Sequence, residues 1–192
     1  WHESLNSIGK EKEYGSQPET GKNIIVEFSS PNTNKPLHLG HIRNILLGWS
    51  VSNILQFSGN RVIRTQIVND RGIAICKSML AWSKWGNQNS PQSENIKSDF
   101  FVGNYYVLFE KKFNEEYISW QESEVAEHIF KSQNEIVNKD EFFKKFKNDY
   151  FNSYSKLGFE ARKMLLDWEN KDQNTLSLWR KMNDWVLEGF NV

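Results

Sequence analysis

One cysteine in 192 residues, Cys76, leaves no internal disulfide framework to build and fits a reducing compartment. On an apolar helical stretch it reads as a core residue rather than a nucleophile. Surplus charge is missing too, since 24 basic side chains face 24 acidic ones, so no global field draws nucleic acid or a membrane surface. Any RNA contact must then be a local patch. No run reaches the roughly 20 apolar residues a membrane span needs, and no signal peptide is visible. No repeat of fixed period stands out. The chain opens at Trp1 without Met and stops at Val192 just after a helical pattern, which leads us to expect a piece of a longer polypeptide.

Aromatic side chains are plentiful, at 14% with eight Trp and thirteen Phe, while the mean hydropathy of -0.67 describes a polar surface. Such a chain folds around one good core, or one core plus a small lobe.

The organising stretch is residues 24–49. Ile24 to Phe28 predicts a buried strand, Pro31 and Pro36 punctuate a polar turn, and a long helix from about Leu39 to Phe57 starts beside His38 and His41. A helix start offers unpaired N–H groups and partial positive charge, which favour phosphate. Two imidazoles three residues apart share one face of that turn, and Gly40 between them lets a base or ribose come close. Glu27 interrupts the apolar strand near its C-terminal end. Either it faces solvent, or it waits for a cationic ligand at the mouth of the sheet.

Within the helix, Ile42, Ile45, Leu46 and Trp49 form one apolar stripe and Leu47, Val51, Ile54 and Leu55 a second, which predicts a helix covered on both sides. Ser58-Gly59-Asn60 ends it, and Arg61 to Val68 alternates into a second strand. Strand, helix, strand predicts a βαβ unit with parallel pairing. Asn69 or Asp70 is the expected N-cap of the next helix, Ile73 to Trp85, and Asp70 is also expected at the pocket lined by His38 and His41.

Beyond a polar loop at 86–97, the pattern turns helical: an aromatic stretch at 99–118, an acidic amphipathic one at 122–137, then 140–151, 160–169 and 175–190. Phe142, Phe143, Phe146 and Tyr150 share a side of the third stretch, with Lys144, Lys145 and Lys147 beside them as a solvated face. Leu176, Trp179, Met182, Trp185, Val186 and Phe190 form a nearly complete stripe in the last. Trp1, Leu5 and Ile8 at the start have helical spacing, followed by a charged connection from Gly9 to Gly21.

The histidine pair does not suit zinc: zinc helices set two His four apart around a Glu, and no third ligand lies near. It does suit nucleotidyl transfer from ATP, where a carboxylate attacks the α-phosphorus and pyrophosphate leaves, and positioning and charge stabilisation carry the rate. His-x-Gly-His alone is only moderately specific.

The longer context is more telling. Val26-Glu27-Phe28-Ser29-Ser30-Pro31-Asn32 followed by Lys35-Pro36-Leu37-His38-Leu39-Gly40-His41-Ile42-Arg43-Asn44 closely resembles the signature of class I aminoacyl-tRNA synthetases, in the form used by arginyl-tRNA synthetases. Leu39 departs from the general His-Ile-Gly-His pattern. Similarity continues through Arg61-Val62-Ile63-Arg64 and Asp70, and again in Trp179 to Phe190.

The resemblance implies half of a Rossmann-like parallel sheet, an α/β fold, with a mostly helical insertion. It implies that His38 and His41 bind the ATP phosphates and act in catalysis, that Gly40 and Asn44 belong to the ATP site, and that Lys35 supplies a phosphate-binding charge. An exposed loop lysine is the alternative for Lys35. Ser30, Asn32 and His41 would hold the amino and carboxylate end of arginine, and Glu27 its guanidinium, a planar fork that matches a carboxylate at two points.

ATP is implied as a substrate entering with Mg2+, with no protein-bound metal. Arginine and the acceptor end of tRNA(Arg) are the implied partners, in a cytoplasmic monomer. Residues 1–22 would be the tail of an N-terminal domain and its linker, 23–86 the first half of the catalytic domain, and 87–192 the connective insertion. With no Lys-Met-Ser-Lys-Ser-like loop, no second βαβ half and no anticodon-binding domain here, the chain alone is expected to be inactive or nearly so. Another His-x-Gly-His nucleotidyltransferase and a non-catalytic synthetase-like binding module are the rival readings. The arginine reading requires Glu27 and the two histidines to look into one hollow.

Overall fold

A computed structural model describes residues 1–10, 14–132 and 138–191. Among them the elements run α1 (His2–Lys10), β1 (Asn23–Glu27), α2 (Leu39–Phe57), β2 (Arg61–Thr65), α3 (Ile73–Trp85), α4 (Pro91–Glu94), α5 (Ser98–Gln121), α6 (Glu124–Lys131), α7 (Lys139–Ser153), α8 (Lys156–Glu169) and α9 (Gln173–Phe190). They fall into two compact units, one of residues 1–31 and 37–69, the other of residues 32–36 and 70–192.

The first unit is the βαβ element. β1 and β2 pair in parallel, from Asn23 opposite Arg61 to Glu27 opposite Thr65. The connection after α1 is pinned to the far end of α2, Gln17 N–H donating to the Phe57 carbonyl at 2.7 Å and Thr20 N–H to that of Gly59 at 2.8 Å. Two expectations fail here. β1 is not buried, because Ile24 and Val26 are half-covered while Ile25 is 68% exposed. Nor is α2 covered on both sides: only Ser52 is buried, and Leu46, Trp49, Val51 and Ile54 lie in solvent.

The reason lies in which face of α2 meets the strands. A Cβ added at Gly48 would come within 2.2–2.6 Å of the Phe28 side chain, so helix and strand end touch where the helix has no side chain. One turn on, the Ser52 hydroxyl bonds back to the Gly48 carbonyl at 2.7 Å and needs no outside partner. Small residues permit the close approach, Ile45 and Leu55 are half-covered on the same face, and Ile42, Leu46, Trp49, Val51 and Ile54 point elsewhere. β2 also ends at Thr65, short of the Val68 expected.

The second unit is helical. α3 packs on α5 and α8, and α5 on α9, around Met79, Ala81, Phe101, Phe109, Tyr150, Met182 and Val186, all at most 1% exposed. The expected Phe142, Phe143, Phe146 and Tyr150 side joins this core directly or at its edge, as does the expected stripe of α9 from Trp179 to Phe190, while Leu176 at its start is half-buried and outside the core. Tyr117 hydroxyl donates to the Phe143 carbonyl at 2.6 Å, satisfying a phenol that burial drives up to about 12. Cys76 is buried, as its pattern requires.

Neither Asn69 nor Asp70 caps α3; Gly72 does, with φ 143 and no side-chain cap, while the Asp70 carbonyl accepts from Trp179 Nε1 at 2.6 Å. The expected loop at 86–97 contains the turn of α4, capped by Ser90 with Pro91 at its start. α8 begins at Lys156, four residues earlier than periodicity predicts, because the Ser155 hydroxyl accepts from Gly158 N–H at 2.8 Å. Of the acidic stretch 122–137, α6 forms a part and residues 133–137 lie outside the described residues.

Candidate active site

His38 is the N-cap of α2, in extended conformation at φ -130 and ψ 174. Its Nδ1 accepts from Gly40 N–H at 3.1 Å, and His41 Nδ1 accepts from His38 N–H at 3.1 Å, so two imidazoles form the reciprocal cap that Ser and Glu form elsewhere. Their rings lie 4.0 Å apart, tilted by 43°. A neutral imidazole that accepts at Nδ1 carries its proton on Nε2. In their neutral form both rings therefore carry the proton on Nε2, at the positive end of a helix.

Gly40 makes this arrangement possible, since a Cβ there would stand 3.0 Å from His38 Cε1 and crowd the folded-back ring. His41 shares a heptad-like face of α2 with Ile45, Gly48, Ser52 and Leu55, the face on which Gly48 meets Phe28.

The turn after β1 is strained. Ser29 and Ser30 both have positive φ, at 77 and 38, a conformation costing a non-glycine residue about 1 kcal/mol or more. Hydrogen bonds hold it. Ser29 N–H donates to Asn44 Oδ1 at 2.6 Å, Ser30 Oγ donates to Glu27 Oε1 at 3.1 Å, and Ile67 N–H donates to Ser30 Oγ at 3.2 Å. Glu27, exposed at the C-terminal end of β1, is thus tied to the turn, and Asn44 ties the turn to the helix that carries His38 and His41. The first unit thus holds the bonded turn of Glu27, Ser30 and Asn44 and the cap made by His38, Gly40 and His41, with α2 carrying both Asn44 and His41.

The remaining expected residues belong to the helical unit. Asn32 and Lys35 are half-buried in the segment 32–36, whose Thr33 and Asn34 are buried there. Thr33 Oγ1 donates to Asn183 Oδ1, and Asn34 Nδ2 donates to the Ala74 carbonyl at 3.5 Å. Asp70 is half-buried in the same unit. Sequence reasoning missed the strained serines, the contact of Gly48 with Phe28, and the bonding of Asn44 to the turn. Asn44, Gly48 and Ser52, small or polar at intervals of four, were the available signal for a close-approach face.

The cap offers donors suited to an oxyanion, and Glu27 at the end of β1 an exposed carboxylate suited to a cation. The family model described as tRNA synthetases class I (R), catalytic domain, matches residues 4–149. An arginine–tRNA ligase of Phocaeicola vulgatus is 47% identical over 193 residues, covering 100% of this chain and 30% of the relative. One from Parabacteroides distasonis is 45% identical over 193 residues, covering 100% and 29%. Among solved structures, the arginyl-tRNA synthetase of Thermus thermophilus aligns at a TM-score of 0.44 and 21% identity, over 79% of this chain and 22% of that one. The chain spans about 30% of the length of the curated relatives it matches.

Proposed function

This chain belongs to the family of class I (R) tRNA synthetase catalytic domains, and from that premise we propose that it supplies the first half of the adenylate-forming site of an arginine–tRNA ligase. The whole enzyme activates arginine with ATP, entering as its Mg2+ complex, and esterifies it onto tRNA(Arg). The observation that carries this reading is the reciprocal histidine cap, with both Nδ1 atoms accepting from backbone N–H groups.

In the reaction, the arginine carboxylate attacks the α-phosphorus and pyrophosphate departs. His38 and His41 donate from Nε2 to phosphate oxygens, where charge grows in the transition state. Donors whose direction the backbone has already set need no reorganisation at that moment, and each contributes about 2–4 kcal/mol. Gly40 leaves the helix start open to the adenosine, beside Asn44. Glu27 takes the guanidinium, with Ser30 holding the carboxylate from one side. Ser30, Asn32 and His41 receive the amino and carboxylate end of arginine, and Lys35 adds a charge for the phosphates.

The apolar residues of α2 and the sheet that lie in solvent, Ile25, Ile42, Leu46 and Ile63 among them, fit a surface that further polypeptide covers. The chain alone then lacks part of the pocket and is inactive or nearly so. The working enzyme is a cytoplasmic monomer on this reading. No helix among the described residues is long and apolar enough to cross a membrane.

The test is amino-acid-dependent ATP–pyrophosphate exchange by the full-length polypeptide, with cognate tRNA present. Exchange driven by arginine alone among the amino acids is expected. Exchange driven by a different amino acid, or independent of any, overturns the proposal.

A further inference from the structure

Four helices of the helical unit surround an open cavity of about 580 Å3. Its charged lining is three cations against one carboxylate: Lys77 of α3, Lys147 of α7 and Arg162 of α8, with Glu110 of α5. Lys77 and Glu110 pair at 2.7 Å. The other two cations have only neutral partners among the described residues. Lys147 Nζ donates to Asn114 Oδ1, and Arg162 Nη1 donates to the Phe151 carbonyl at 2.6 Å. Both side chains are half-buried, and aromatic rings crowd the group. Lys77 Nζ lies 4.8 Å and Arg162 Cζ 5.8 Å from the Phe151 centroid, and Lys147 Nζ 5.5 Å from that of Phe113.

Half-burying cations beside rings and amides, with no carboxylate to answer them, leaves a focused positive potential in a chain whose total charge is zero. An anion is the complementary ligand. The cavity is too large for a lone phosphate and falls in the range of small-molecule sites. Asn148 and Asn152, four apart on α7 and both lining it, add amides able to pair with a base edge.

We propose that this cavity binds a phosphate-bearing nucleotide, as a free nucleotide or as one residue of an unpaired RNA strand. Lys147 and Arg162 take the phosphate, and the two asparagines meet the base. Every lining residue belongs to the helical unit, and the assignment stands without the function proposed above.

Titration of this chain with ADP, with adenosine and with a short oligouridylate, followed by amide NMR, tests it. Saturable ADP binding is expected, with shifts at Asn148 and Asn152 and none of comparable affinity with adenosine. Lys147→Gln and Arg162→Gln should each weaken it about tenfold or more. Lys145→Gln, whose amine pairs with Glu141 at 3.0 Å on the same helix, should not. Competition of oligouridylate with ADP at these resonances identifies the strand as a source, and binding of ADP without such competition identifies the free nucleotide. Equal binding of adenosine, unchanged affinity in both cavity variants, or shifts confined to residues around His38 and His41 overturns the proposal. The shift map needs only the wild-type chain, so a variant that fails to fold leaves the test intact.

Discussion

Thr33 and Asn183, 150 positions apart in the chain, share a buried hydrogen bond, Thr33 Oγ1 donating to Asn183 Oδ1. Thr33 is 1% and Asn183 6% exposed. Asn183 Nδ2 in turn donates to the Trp179 carbonyl at 3.0 Å, and Trp179 Nε1 reaches the Asp70 carbonyl at 2.6 Å. The last helix thereby fixes the segment that carries Asn32 and Lys35 and the residue that opens the approach to α3.

Replacing Asn183 by Leu strands the Thr33 hydroxyl without a partner and should cost about 1–3 kcal/mol. Thr33→Val in the same chain removes the stranded group, so the double variant should be less destabilised than the sum of the singles. Urea denaturation of the four proteins measures the coupling. Strict additivity would show that the bond contributes nothing.

Gly48→Ala pushes a methyl into the Phe28 ring, and overpacking of this kind costs about 1–3 kcal/mol. Phe28→Ala makes room, so adding it to Gly48→Ala should relieve part of the loss. Ser50→Ala, on the exposed side of α2, should change the melting temperature little.

His38 has two roles that substitution can separate. Asn is a good N-cap, so His38→Asn should keep the melting temperature within the range of an ordinary surface change, whereas His38→Ala should lose about 1 kcal/mol of cap stabilisation. Both remove the Nε2 donor. In the full-length polypeptide both should slow arginine-dependent exchange by about a hundredfold or more. Activity retained in His38→Asn would reduce the imidazole to a cap.

Burial pushes the Cys76 thiol up to about 11 from an ordinary 9.0, against the pull of the nearby Arg71 charge. The unfolded chain therefore loses this proton first as pH rises. The native state binds more protons between about pH 9 and 11, and stability falls across that window, by no more than about 2–3 kcal/mol from this group. The difference in unfolding free energy between wild type and Cys76→Ala, measured from pH 8.5 to 11, should shrink as pH rises.

The helix order and most helix bounds were legible because the aromatic stripes of α5, α7 and α9 repeat at helical spacing. So was the corner at His38, where turn residues, a helix start and two imidazoles stand together. What stayed hidden depended on distance rather than period. The apolar stripes of α2 read as its buried faces, yet Gly48 is the residue that meets Phe28 and Ser52 the one that is buried, because close approach selects for missing side chains. The positive φ of Ser29 and Ser30 carries no signature, since serine is not the residue such a conformation ordinarily selects. Nor could any local pattern tell that Thr33 bonds to a residue on α9.

The division of labour between Glu27 and the histidines is tested most directly by comparing the KM for arginine with the KM for ATP in ATP–pyrophosphate exchange of the full-length polypeptide. For Glu27→Gln, which keeps the shape and an acceptor but removes the charge, the arginine KM should rise at least about tenfold while the ATP KM stays unchanged. An unchanged arginine KM, or an equal rise in both, would contradict the pairing of Glu27 with the guanidinium.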